Sequence, residues 1–149
     1  MNKIILFLFP IVISYGTHAQ LPCQWSFKAK KIAEKRYEIH LTAEVDNGWH
    51  TYSQDTPDGG PFPTKILFDK NPLIALLGEV VEIGKMEKHH DAVFDVDVKQ
   101  FSDKVDFVQL VNLKADVKTI LSGTVQFMLC NNHECMPPKK IPFSLSLNY

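Results

Sequence analysis

Apolar and polar residues alternate along most of this chain. Tyr37, Ile39, Leu41, Ala43 and Val45 interleave with Glu38, His40, Thr42 and Glu44, the period of two that a half-buried β-strand shows. The same alternation runs through Trp25-Phe27-Ala29, Phe94-Val96-Val98, Val105-Phe107, Val125-Phe127-Leu129 and Ile141-Phe143-Leu145-Leu147, and in shorter form through 65–69 and 79–83. Turn-forming groups separate these runs: Asp46-Asn47-Gly48, Pro57-Asp58-Gly59-Gly60-Pro61, Asn71-Pro72 and Ser122-Gly123. Only residues 72–77 suggest a short helical turn. Many short strands with regular turns and almost no helix predict an all-β sandwich or barrel. No internal repeat or low-complexity segment interrupts the pattern, and the sequence ends within two residues of its last predicted strand.

The first residues break the alternation. Lys3 precedes an apolar run over 4–13 broken only by Pro10, and Thr17 and Ala19 stand at the −3 and −1 positions of a cleavage site before Gln20. This is the plan of a secretory signal peptide over 1–19. The run is about ten residues, short of the roughly 17–25 that span a bilayer. Leu21-Pro22 before Cys23 does not supply the small residues of a lipoprotein signal. Cleavage leaves 149 − 19 = 130 residues, 20–149, enough for one domain with its own core. Sixteen Lys and Arg against seventeen Asp and Glu give a net charge of −1. Without a basic run, nothing favours nucleic acid or an anionic membrane surface. Export sends the chain to an oxidising compartment where a disulfide persists. The three cysteines, an odd number, leave at least one free or paired between molecules.

Chemistry concentrates in Met-Leu-Cys-Asn-Asn-His-Glu-Cys-Met-Pro-Pro-Lys-Lys, residues 128–140. Cys130 falls at the end of a strand over 124–130, on the parity opposite to Val125, Phe127 and Leu129. Asn131 and Asn132 favour a turn, and Cys135 is expected to start the return strand. Pro137 and Pro138 lack N–H groups and do not fit a central ladder. Two cysteines flanking a four-residue loop can face each other at disulfide distance. A purely structural bridge is one reading. So short a loop stabilises by only about 2 kcal/mol on the chain-entropy model, however, and a partner thiolate reaches a strand-end bridge easily, which places a redox role ahead. A copper site built from Cys130, His133, Cys135 and Met136 is the other rival, with soft ligands suited to Cu(I). His89 and His90 do not complete it, because adjacent strand residues point to opposite faces. Cys23 reads as a free thiol in a loose N-terminus, with pairing to Cys130 or Cys135 left open.

The chain resembles the N-terminal periplasmic domain of DsbD-type thiol:disulfide interchange proteins from about Trp25 to Leu147. The resemblance is carried by Asp46-Asn47-Gly48-Trp49-His50-Thr51-Tyr52-Ser53, by Gly59-Gly60-Pro61-Phe62-Pro63-Thr64, by Asp91-Ala92-Val93-Phe94, and above all by Cys130…Cys135-Met136-Pro137-Pro138. It implies an immunoglobulin-like β-sandwich in the periplasm. It also implies a redox shuttle that takes electrons from a membrane domain and passes them to thioredoxin-like proteins active in disulfide isomerisation or cytochrome c maturation. Cys135 would then attack the partner's disulfide and Cys130 resolve the mixed disulfide. Phe94 would lie over the pair as a cap. Some members space the two cysteines by five residues instead of four. The membrane and C-terminal thioredoxin-like domains of a complete reductase are not in this sequence, so either a separate membrane donor of DsbD type supplies the electrons or the domain has another donor.

Around the pair, His133 if protonated would lower a neighbouring thiol pKa, while Glu134 reads as a solvated turn residue. Asp91 is a candidate proton relay or a turn cap. Phe94, by its alternation with Val96 and Val98, also reads as plain core. Trp49 and Tyr52 have opposite parity, so one is expected in the core and the other at a contact surface. His50 and His40 read as ordinary strand residues. No cofactor or metal is expected, and the rival to the shuttle is an envelope binding module with a structural disulfide.

Overall fold

The computed structural model describes residues 21–92 and 94–148; the expected leader lies outside them. Eleven strands follow in chain order: β1 Cys23–Ala33, β2 Arg36–Val45, β3 His50–Tyr52, β4 Lys65–Phe68, β5 Ile74–Gly84, β6 Glu87–Asp91, β7 Val96–Phe101, β8 Lys104–Leu113, β9 Thr119–Phe127, β10 Leu129–Cys130 and β11 Lys139–Leu147. They form three antiparallel sheets ordered β1-β2-β8-β5, β10-β3-β7-β6 and β11-β9-β4. The result is an immunoglobulin-like β-sandwich.

The alternation read from the sequence sets which side chains turn inward. On β2, Tyr37, Ile39, Leu41, Ala43 and Val45 are buried, and on β8 Val105, Phe107, Val111 and Leu113. They meet Leu121, Val125 and Phe127 of β9 and Phe143 and Leu147 of β11. Trp25 joins the layers, with its ring centroid 5.8 Å from that of Phe107 and 5.1 Å from that of Phe127. Such aromatic contacts add to what area burial alone supplies.

Several local expectations give way to longer-range pairing. Residues 72–77 do not make a helical turn. Asn71 caps a tight turn, its Oδ1 accepting from the Leu73 N–H at 2.9 Å, and Ile74 and Leu76 then pair with Leu113 and Val111. The short strand expected at 79–83 is the second half of one long β5, bent by a register shift between Leu77 and Val81. Ser122-Gly123 is no turn but the middle of β9, because Gly123 lies opposite Phe143 and beside Phe68 in the ladder. A side chain there would collide with the Leu67 carbonyl oxygen and the Phe143 ring, so the glycine is a close-approach residue. Gly123→Ala is expected to destabilise by about 1–3 kcal/mol, as overpacking does. A denaturant melt showing no loss would mean that β4 and Phe143 yield freely.

Cys23 is free, as expected, yet its terminus is not loose. It opens β1 opposite Val45 and is 4% exposed within the core.

Candidate functional site

The site arises where one strand changes sheets. β9 runs along β11 and β4 up to Phe127; Met128 leaves the ladder, and β10 resumes beside β3. The continuous strand expected over 124–130 is therefore interrupted at Met128. Leu129 still packs into the main core, while Cys130 turns to the other face and joins Tyr52 and Val98 in a second small cluster, with Val96 and Met128 packed against it.

Cys130 is bonded to Cys135, their Cα atoms 4.0 Å apart. Cys135 does not begin the return strand. It makes one isolated bridge to Cys130, and β11 starts only at Lys139 after Pro137-Pro138, which have no N–H to offer a ladder. Asn131 builds the loop between the cysteines. Its Oδ1 accepts from the N–H groups of His133 and Glu134, each at 2.8 Å, and its own N–H donates to the Glu134 carbonyl at 2.9 Å. The Met136 N–H then donates to the Leu129 carbonyl at 2.8 Å. This hydrogen-bonded loop holds the two cysteines in different environments. Cys130 is 1% exposed, and Cys135 lies at the surface.

The register of the second sheet places further side chains on the Cys130 face. His50 is the cross-strand partner of Cys130, and Tyr52, two residues on, shares its face. Tyr52 pairs with Gln100, which pairs with Glu87; Val98 pairs with His89 and Val96 with Asp91. Tyr52, 1% exposed, binds the His50 Nε2 at 3.1 Å and makes a side-chain hydrogen bond with Asp91. Burial, with the nearby Asp91 charge, pushes its hydroxyl up to about 12, so it stays protonated. Burial also lowers the His50 pKa, with His89 acting in the same direction and Asp91 and Glu87 opposing.

Of the residues singled out in the sequence, Cys130, Cys135, Tyr52 and Asp91 come together. Asp91 acts as the turn cap, since its Oδ1 accepts the Phe94 N–H at 3.3 Å and so shapes the turn between β6 and β7. Phe94 lies in that turn, half-buried, and not in a strand; β7 begins at Val96 because Asp95 takes a left-handed φ of 56°. His133 is exposed at the loop tip. Trp49 precedes β3 and packs against the main core, so both it and Tyr52 turn inward, toward different clusters. Met136 also packs on the main core, apart from the Cys130 cluster. His89 and His90 face oppositely, His90 reaching Asp97 at 3.1 Å and Asp95 at 3.2 Å. From the sequence alone His50 reads as an ordinary strand residue. Its i, i+2 parity with Tyr52 was visible, but the pairing with Cys130 spans eighty residues and has no local signal.

Cys23 contrasts with the pair. Burial, with the Asp46 charge adding to it, raises its thiol to about 12. In the unfolded chain it would ionise near the ordinary thiol value, so this residue's contribution to stability is intact below about pH 9 and declines as pH rises from there through 12. Iodoacetamide at neutral pH is expected to leave Cys23 unmodified in the folded protein. Alkylation as fast as that of an exposed thiol would contradict its place in the core.

The family described as "Thiol:disulfide interchange protein DsbD, N-terminal" matches residues 19–147. Among solved structures, the reduced DsbD N-terminal domain of Neisseria meningitidis is similar, with a TM-score of 0.56 and 13% identity over 84% of this chain and 86% of that one. The N-terminal periplasmic domain of ScsB from Proteus mirabilis is also similar, with a TM-score of 0.58 and 17% identity over 91% of this chain and 49% of that one. This chain thus spans about half of the ScsB domain. None of the curated proteins matches. With nearly its whole length matched and its sandwich shared, the chain belongs to the family of DsbD N-terminal thiol:disulfide interchange domains.

Proposed function

We propose that this domain carries electrons through Cys130 and Cys135 to thioredoxin-like partner proteins in the periplasm, after a leader over 1–19 has been removed near Ala19. The unequal exposure of the two cysteines is the observation that carries this reading. In the reduced domain the exposed Cys135 thiolate attacks a partner disulfide. A bond forms between Cys135 and one partner sulfur, and the other partner sulfur leaves as a thiolate. Cys130, held beneath, then attacks the Cys135 sulfur, closing the intramolecular disulfide and releasing the second partner thiolate. Two electrons have passed to the partner. A membrane donor of DsbD type reverses the step. A structural staple has less to recommend it, since a loop of about six residues contributes roughly 2 kcal/mol.

The test is a glutathione redox titration of residues 20–149, followed by mixing the reduced domain with an oxidised thioredoxin-fold protein. The pair should open and close without loss of the fold, and the partner's disulfide should be reduced one for one. A pair that opens only on unfolding would make the bridge structural. Phe94 belongs in the same experiment. As a cap it slows attack by small thiols, so Phe94→Ala should speed reduction by glutathione, change partner exchange less, and cost less than the roughly 3–5 kcal/mol of a buried Phe→Ala. An unchanged glutathione rate with the full core loss would make Phe94 a packing residue.

A further inference from the structure

We propose that His50 is the proton acceptor for Cys130, and that it thereby sets the pH dependence of the resolving step; this rests on the exchange reading above. The argument begins with hydrogen-bond accounting. The Tyr52 hydroxyl bonds both the Asp91 side chain and the His50 Nε2. An ionised carboxylate only accepts, so the hydroxyl hydrogen points to Asp91 and the Tyr52 oxygen must accept from His50. Nε2 therefore carries the imidazole hydrogen, and Nδ1 keeps its lone pair. The ring is further fixed by its edge-on contact with Tyr52, with centroids 5.2 Å apart at 90°.

Register then supplies the target. His50 and Cys130 are directly paired across β3 and β10, which puts their Cβ atoms about 4.5–5.5 Å apart on one face. The groups facing this imidazole are Tyr52 on its own strand, Cys130 on β10, Gln100 on β7, and Glu87, His89 and Asp91 on β6. Burial keeps the ring neutral at neutral pH, so Nδ1 is ready to accept. Burial disfavours a thiolate, so a proton acceptor next to a buried thiol assists its reaction. In the resolving step the Cys130 proton passes to Nδ1 as the sulfur's electron pair forms the bond to Cys135. The bond between Cys135 and the partner breaks, and the partner sulfur leaves with that bond's electrons. The imidazolium returns the proton to solvent.

The test isolates this step. Reduced domain is mixed with dithiobis-nitrobenzoate, whose thiolate is coloured. Cys135 reacts first in a phase that depends on probe concentration. Cys130 then expels the second coloured thiolate in a concentration-independent phase. In the native protein this second phase should fall below the His50 pKa and level off above it. His50→Gln retains an N–H for Tyr52 but has no ring nitrogen to protonate. It should slow the second phase about tenfold or more at neutral pH, as loss of a general base does, and abolish the plateau. Tyr52→Phe should retain the plateau and move its midpoint. A second phase with the same rate and pH profile in His50→Gln overturns the inference, whereas absence of any second phase in the native protein overturns the exchange reading itself. Should His50→Gln fail to fold, the His50 titration followed by NMR decides. Its pKa should differ between oxidised and reduced protein, and equal values overturn the assignment.

Discussion

Cys135→Ser and Cys130→Ser should each abolish electron transfer to a thioredoxin-like partner, but in different ways. Cys130→Ser leaves an exposed thiol at 135 with no sulfur beneath it, so the mixed disulfide with the partner should form and persist. Cys135→Ser leaves only a thiol at a position 1% exposed in the native protein, and it should form no mixed disulfide at a comparable rate. Non-reducing gels of each variant with an oxidised thioredoxin-fold protein distinguish the two outcomes. A stable adduct with Cys135→Ser and none with Cys130→Ser would reverse the assigned roles. Neither variant should cost the fold more than the roughly 2 kcal/mol that so short a loop contributes.

The largest stability loss is expected elsewhere. Phe107 is fully buried on β8, stacked on Trp25 and edge-on to Phe101 at 6.5 Å. Phe107→Ala should cost about 3–5 kcal/mol, since both layers are held by long ladders and cannot close on the cavity. Chemical denaturation of oxidised protein measures this. A loss under 1 kcal/mol would mean that Trp25 and Phe127 collapse into the space, and the core would then be softer than its packing indicates. The expected core loss thus exceeds the roughly 2 kcal/mol expected from opening so short a disulfide loop.

Two polar placements show how the sheet uses its other surfaces. Outside the sandwich, His40 Nδ1 meets Asp106 at 2.7 Å, and Asp106 also accepts from Thr42 at 2.9 Å, so these residues tie β2 to β8. On the opposite margin, Ser53 and the Gln54 N–H both bind Glu82, at 2.8 and 2.7 Å, and anchor the chain leaving β3 to β5. That anchor fixes the end of the strand bearing His50 and Tyr52.

Burial on one side of a pleated strand requires a period of two, which makes the all-β class, most strands and the inward residues of β2 and β11 legible in the sequence, together with Val105 and Phe107 of β8 and Val125 and Phe127 of β9. The sequence also pointed to the cysteine pair, whose four-residue loop is a local feature. It misplaced what depends on neighbours distant in sequence. Gly123 looked like a turn because no local pattern reveals that Phe143 lies over it. Residues 72–77 looked helical because their ladder partners are some forty residues away. Cys23 looked loose because only the pairing with Val45 buries it. The face around Cys130 was decided by tertiary structure alone. Alternation with Leu129 already turns Cys130 away from the main core; the break at Met128 hands the strand to β3, and pairing there sets Cys130 opposite His50 and beside Tyr52, whose hydroxyl bonds Asp91. A shift of one residue at that break would have turned the sulfur to the other face of the sheet, into the apolar core.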